Sequence, residues 1–213
     1  MSPEERVREE RVREERVREE RVRGESVREA FDAIRREDFL PRDQRRHAHE
    51  DRALHIGHRQ TNSQPTTVLN MLTLLEVRPG DRVLDVGSGS GWTTALLGVL
   101  VGPTGEVHAV ERVPELVTWG RENLATHPMS WTRIHQSSSH VLGLPELAPF
   151  DRILVSAQAH TLPSSLVEQL TIGGVMVVPV AGRMTVVRRT SGEPTVVRHG
   201  MYSFVPLIEP DRA

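Results

Sequence analysis

Asp85, Gly87, Ser88, Gly89 and Gly91, followed twenty residues later by Glu111, are the residues whose types and spacing could do chemistry in this chain. The run Val83-Leu84-Asp85-Val86 reads as a buried strand, the glycine-rich stretch after it as a tight turn, and Trp92 to Leu97 as the start of a helix. Glycine lets a backbone turn sharply and approach a bulky ligand closely. The N–H groups that open the following helix can meet polar or anionic ligand groups. Glu111 ends a second apolar run, Glu106–Val110. An acid at that place is positioned to accept hydrogen bonds from the two hydroxyls of a ribose. Together these residues predict a site for a nucleoside-like cofactor.

The glycine spacing narrows the cofactor. A dinucleotide fingerprint is G-x-G-x-x-G, whereas this chain has G-x-G-x-G with Asp85 two residues ahead of the first glycine. That variant resembles motif I of class I S-adenosylmethionine methyltransferases, and the resemblance implies methyl transfer. The alternatives are a nicotinamide cofactor, or a strand-helix turn that binds nothing. Asp85 itself either caps the turn or orders the glycine loop and faces the cofactor.

Composition limits the other possibilities. The 213 residues carry a net charge of −2, so overall charge makes no case for nucleic acid or an anionic membrane as partner. No apolar run approaches a bilayer span, and the N-terminus lacks the apolar core of a signal peptide. There is no cysteine, which excludes disulfides and thiolate metal sites and fits a cytoplasmic protein. The ten histidines show no metal-ligand spacing: His47-Ala48-His49 is followed only by Glu50, so no metal is expected. His58 and His160 are candidates for lining a pocket.

The first 23 residues form a separate unit. Glu-Glu-Arg-Val-Arg repeats four times between Glu4 and Arg23, with eight acids against eight arginines. Pairs such as Glu4/Arg8 and Glu9/Arg13 sit four residues apart in the favourable order, each worth ~0.2–0.5 kcal/mol in a helix. Valines every five residues make no continuous stripe, so a solvated single helix or fraying tail without chemistry is expected rather than a coiled coil.

Residues 24–213 read as the folded domain. Val27, Phe31 and Ile34 recur at helical spacing and predict a helix that stops near Pro41, followed by irregular chain over 42–60. Pro65 opens a second helix with a stripe of Val68, Met71, Leu72 and Leu75, and Pro79-Gly80-Asp81 turns into the glycine-motif strand. Further β-rich runs are Glu106–Val110, Trp131–His135, Arg152–Val155 and Gly174–Val180. Thr185–Arg189 and Pro194–His199 pair as a closing hairpin across Ser191-Gly192-Glu193. Strands alternating with helices predict a parallel sheet covered on both faces. The fold expected is α/β: a doubly wound, mostly parallel, Rossmann-like sheet with a C-terminal antiparallel hairpin and a helical N-terminal extension.

Gly57-His58-Arg59-Gln60-Thr61-Asn62-Ser63-Gln64-Pro65 resembles the substrate loop of protein-L-isoaspartate O-methyltransferases, which carry a T-x-S-x-P core there. Phe39-Leu40-Pro41, Val110 to Leu116, Arg121 to Leu124, Ala148 to Ile153, Leu166 to Leu170 and Phe204-Val205-Pro206-Leu207 follow the same family pattern, in order, over residues 27–208. The resemblance implies transfer of a methyl group from S-adenosylmethionine to the carboxylate of an isoaspartyl residue, whose ester then closes to a succinimide. Isoaspartyl proteins or peptides are the implied partners, with a monomer favoured. A carboxylate with a pKa of ~4 is already a nucleophile at neutral pH. The site therefore needs alignment and dryness, not a strong base. By resemblance, Ser63 bonds the substrate or orders the site, with Thr61 beside it. Gln60, Gln64 and the backbone around Val205 hold the substrate peptide, while Asp85, Gly87, Ser88, Gly89, Gly91, Glu111, Arg112 and Ser139 hold the cofactor. Ser63 also has a plainer reading, as the N-cap of the helix opened by Pro65.

Three departures qualify the resemblance. Ser138-Ser139-His140 stands where the family shows Gly-Asp-Gly, so Ser139 replaces an aspartate on the adenine side. Losing that charge-assisted bond predicts cofactor binding weaker by ~1–2 kcal/mol. Gln158 and Thr66 also differ, near the substrate. These changes keep two other functions open: a related methyltransferase acting on an aspartate of one dedicated peptide or on a small molecule, and a non-catalytic module that binds S-adenosylmethionine.

Overall fold

The computed structural model describes Glu5 and residues 24–209; apart from Glu5, the charged repeat lies outside the described residues. A helix, α1, spans 24–33, with Val27 and Ala30 buried and Phe31 packed edge-on against Trp92. It stops earlier than its apolar spacing predicts. Arg36–Phe39 is a separate 3-10 turn, and Arg36 and Phe39 are both buried. Residues 42–60 are likewise more ordered than expected. They contain a 3-10 turn at Arg45–His47 and a two-residue strand β1 (Leu54–His55), which pairs antiparallel with β2 (Thr61–Asn62). Helix α2 (Pro65–Leu75) buries the predicted stripe of Val68, Met71, Leu72 and Leu75.

The remaining elements are β3 (Arg82–Val86), α3 (Trp92–Val101), β4 (Glu106–Glu111), α4 (Pro114–Ala125), β5 (Thr132–Gln136), β6 (Phe150–Val155), α5 (Ser164–Val167), β7 (Leu170–Val180), β8 (Arg183–Arg188) and β9 (Thr195–Met201). Seven strands form one sheet in the order β5-β4-β3-β6-β7-β8-β9. The first five pair in parallel and the last two antiparallel, so the predicted hairpin of β8 and β9 extends the sheet beyond β7. This is the doubly wound α/β fold expected.

Alternation along the buried strands sorts side chains to the two faces, as the period of two requires. Val83, Leu154, Val175 and Val177 join one apolar core with α1, α2, α3 and α4. Leu84, Val86, Ile153, Val155, Met176 and Val178 join the other. That second face is covered more thinly, by the single turn of α5 and by Leu142 and Leu144 from the chain between β5 and β6. Among the described residues no helix is long and apolar enough to cross a membrane.

Strand order decides where a site can form. Chain connections leave β3 toward β4 on one side, and β6 takes its place on the other, so the sheet reverses direction of growth beside β3. In open α/β sheets, ligands bind outside the carboxyl ends of the strands at such a switch point. The glycine motif follows β3 at that end.

Candidate active site

A cavity opens at the carboxyl edge of the sheet, with walls from the turns after β3, β4, β5 and β6. The turn after β3 is built on left-handed glycines, with φ of 84° at Gly87 and 92° at Gly91. Gly91 is tight as well as twisted: a Cβ there would lie 3.2 Å from the carbonyl oxygen of Gly120 on α4. Gly87 and Ser88 both donate their N–H to the carbonyl of Val110, which ties the turn to the end of β4.

Glu111 closes this arrangement. Its Oε2 accepts the N–H of Gly89 at 2.8 Å, and its Oε1 accepts those of Arg112 and Val113 at 2.7 and 2.9 Å. A carboxylate offers about four lone-pair sites, so about one stays open while all three bonds persist. Holding both hydroxyls of a ribose would release one of them, with Gly89 the donor on the turn side.

Asp85 lies beneath the turn and not on the cavity wall. It is fully buried, and its Oδ2 accepts the hydroxyls of Thr93 and Thr94 at 3.0 and 2.7 Å. Burial pushes its carboxyl up from an ordinary 3.8 to about 6, with the nearby Glu111 charge adding to the rise. Asp85 therefore joins the end of β3 to the first turn of α3, the loop-ordering half of its expected role. Gly91 is also off the wall, packed against α4.

Gly87, Ser88, Gly89, Glu111, Arg112 and Ser139 do face the cavity, as do Gln60, Thr61, Ser63 and Val205. Gln64 lines an adjoining cavity instead, with Thr67, Asn70 and Tyr202. Thr61, Ser63, Ser156 and Val205 line both cavities, so the two spaces meet at these four residues. His58 and His160 line neither.

The segment carrying Ser63 is anchored from outside itself. Gln64 holds the N-cap position of α2 but makes no side-chain cap. Asp51 supplies it: Oδ1 accepts the Thr66 N–H at 2.9 Å, and Oδ2 accepts Thr66 Oγ1 and Gln64 Nε2 at 2.8 and 2.9 Å. These bonds hold the Asp51 carboxyl below its usual range, the Thr66 N–H foremost. Ser63 is thus not the N-cap, and its hydroxyl takes no hydrogen bond among the described residues. On the opposite wall, Gln158 donates its N–H to the carbonyl of Val205 at 2.8 Å, and Leu207 donates to the carbonyl of Gln158 at 2.7 Å. This clip holds the C-terminal segment against the end of β6.

Sequence reasoning missed Ser156, although it directly follows β6 beside β3, the signal that could have found it. Its N–H donates to the Val86 carbonyl at 2.8 Å while its Oγ is buried without a partner. Ser88 Oγ and Trp92 Nε1 are in the same condition on the same wall. A buried polar atom without a partner is costly, and all three such atoms belong to residues that line the cavity. Glycine backbone, an acid at the end of β4 and orphaned donors and acceptors fit a nucleoside-bearing cofactor.

Comparison with known proteins points the same way. The family model for protein-L-isoaspartate(D-aspartate) O-methyltransferase matches residues 8–212. A protein-L-isoaspartate O-methyltransferase from Aeropyrum pernix is 44% identical over 185 residues, 84% of this chain and 71% of that protein. One from Methanopyrus kandleri is 44% identical over 185 residues, 84% of this chain and 82% of its own length. Among solved structures, a Plasmodium falciparum beta-aspartate methyltransferase in complex with S-adenosyl-L-homocysteine superposes with a TM-score of 0.75 at 25% identity, covering 86% of this chain and 90% of that one. Another protein-L-isoaspartate O-methyltransferase gives a TM-score of 0.77 at 23% identity and shares the fold; 87% of this chain spans 62% of it.

Proposed function

The chain belongs to the protein-L-isoaspartate(D-aspartate) O-methyltransferase family, and on that premise we propose that it methylates the free carboxylate of L-isoaspartyl residues in polypeptides. The observation that carries this reading is the meeting of the two cavities at Thr61, Ser63, Ser156 and Val205. One cavity suits the methyl donor and the other the peptide.

S-adenosylmethionine, when bound, supplies a methyl group on a sulfonium. The turn from Gly87 to Gly89 and the Glu111 carboxylate would hold its nucleoside part, with Arg112 and Ser139 on the same wall. Ser63 and Thr61 would orient the substrate carboxylate by hydrogen bonds, and the main chain at Val205 would fix the peptide. One carboxylate oxygen forms the new O–CH3 bond as the C–S bond breaks, and no proton moves. A side-chain base is therefore unnecessary, and the wall of hydroxyls and amides suits a reaction limited by alignment and exclusion of water. The ester product is a better acyl donor than the carboxylate. The neighbouring backbone nitrogen displaces methanol and closes the succinimide without the enzyme.

The second cavity includes Met201, 81% exposed, on its rim and so opens to solvent, as a polypeptide substrate requires. The test is methyl transfer from labelled S-adenosylmethionine to a matched pair of peptides, one isoaspartyl and one aspartyl. Labelling of the isoaspartyl peptide alone, strongly reduced in Ser63→Ala, is the expected result. Cofactor binding with no labelling of either peptide would return the search to a dedicated peptide or to a non-catalytic role.

A further inference from the structure

Arg36 is a buried cation, 7% exposed, hydrogen-bonded to carbonyl and amide oxygens while the Asp51 and Glu50 carboxylates act on its charge from further away. Its donors go to oxygens of the two segments that flank the substrate cavity. Nη1 reaches the carbonyls of Ala48 and Glu50 at 3.3 and 3.0 Å. Nη2 reaches those of Arg52, Asn62 and Ser63 at 2.8, 3.3 and 2.9 Å, and Nε reaches Oδ1 of Asn62 at 2.8 Å. The guanidinium lies over the ring of Trp92, 5.4 Å from its centroid. Burial lowers its pKa to about 10, still far above neutrality, so the charge is kept.

The bonds continue into the cofactor turn. Asn62 Nδ2 donates to Ser90 Oγ at 3.4 Å, and the carbonyl of Ser90 accepts from Asn123 Nδ2 on α4 at 2.9 Å. A planar fork of five donors can hold several carbonyls in fixed relation, which a single ammonium cannot. An apolar side chain in its place would leave these carbonyls without a partner, and a single ammonium could reach only some of them.

We propose that Arg36 is a positioning residue for methyl transfer: it fixes the Asn62–Ser63 backbone and, through Asn62, sets the spacing of Ser63 from the cofactor turn. The proposal rests on the isoaspartyl methyltransferase reading. It assigns Arg36 no contact with substrate or cofactor, because it acts only through Ser63 and its neighbour.

The experiment is a double-mutant cycle of Arg36→Lys and Ser63→Ala, read by kcat for an isoaspartyl peptide and by Kd for S-adenosylhomocysteine. Arg36→Lys keeps the charge and removes the fork. It should lower kcat about 10- to 100-fold while leaving the Kd within about threefold. On the Ser63→Ala background the same change should cost less than about threefold, because its target is gone. A loss that multiplies fully in the double variant, or a kcat unchanged in the single one, overturns the proposal. If Arg36→Lys does not fold, judged by lost cooperative unfolding, Asn62→Ala replaces it in the cycle. That variant keeps the Arg36 bonds to backbone carbonyls and removes the Asn62 side chain, which bridges Arg36 Nε to Ser90 Oγ, and non-additivity with Ser63→Ala is again required. An unmodified enzyme that fails to label the isoaspartyl peptide overturns the functional reading and this proposal with it. A labelling enzyme with an additive cycle overturns the proposal alone.

Discussion

The N–H of Gly89 points at Oε2 of Glu111 across 2.8 Å, so the turn after β3 and the end of β4 act as one unit. The same carboxylate gathers the N–H groups of Arg112 and Val113. Replacing it by an amide, Glu111→Gln, leaves one acceptor oxygen for three amide donors and turns an NH2 group toward an N–H. Affinity for S-adenosylhomocysteine should fall about 10- to 100-fold, which corresponds to about 1.4–3 kcal/mol. Isothermal titration of the two proteins checks it, and an unchanged Kd would show that the acid serves the turn and not the ligand.

Asp85 makes stability depend on acid pH in an unusual direction. Its folded-state pKa is raised from 3.8 to about 6, so between those values the folded protein holds the proton more tightly than the unfolded chain. Its contribution is fully present below pH 3.8 and is lost as pH rises through about 6. The loss is on the order of 3 kcal/mol. In Asp85→Asn this fall should vanish, and the difference between the two proteins' urea-denaturation free energies should change across pH 4 to 6.5 by about that amount. A difference that stays flat across the range would contradict the burial account.

Ser139 lines the cavity, at the position where the resemblance implies an aspartate on the adenine side. Restoring the charge in Ser139→Asp should tighten S-adenosylhomocysteine binding about 5- to 30-fold, the equivalent of ~1–2 kcal/mol. No tightening would mean that this side chain does not meet the adenine.

Gly91 combines φ of 92° with a carbonyl 3.2 Å from where a Cβ would sit. Gly91→Ala should destabilise the protein by about 2 kcal/mol, visible as a fall in Tm of about 4–8 °C for a chain of this size. Gly173 has a similar φ of 86° but nothing within 4 Å of a Cβ, so Gly173→Ala should show the smaller fall. Equal shifts in thermal scans would remove the packing part of the argument.

Local signals carried much of the outcome. The strand-turn-helix at Val83 to Leu97, the acid at the end of β4, the α2 stripe and the sheet class follow from periodicity and glycine spacing, because such patterns are short-range consequences of backbone geometry. Helix α1 ends earlier than its apolar spacing predicts for a physical reason. Apolar spacing continues through Ile34, but Arg36 turns inward to bond carbonyls 12 to 27 residues away, and a 3-10 turn replaces the helix.

What no pattern along the chain could supply is which distant groups meet. Residues 42–60 look irregular in isolation, yet their carbonyls are bonded by Arg36 and their Asp51 caps α2. Gln60 and Gln64 are four residues apart, and only folding sends one to each cavity. Ser156 and Val205 are far from Ser63 in sequence and join it because β6 lies beside β3 and the C-terminal segment is clipped to Gln158. The residue types and the cofactor turn are properties of local chain geometry; the site where donor and acceptor meet is a product of strand order and of buried hydrogen bonds that close over long loops.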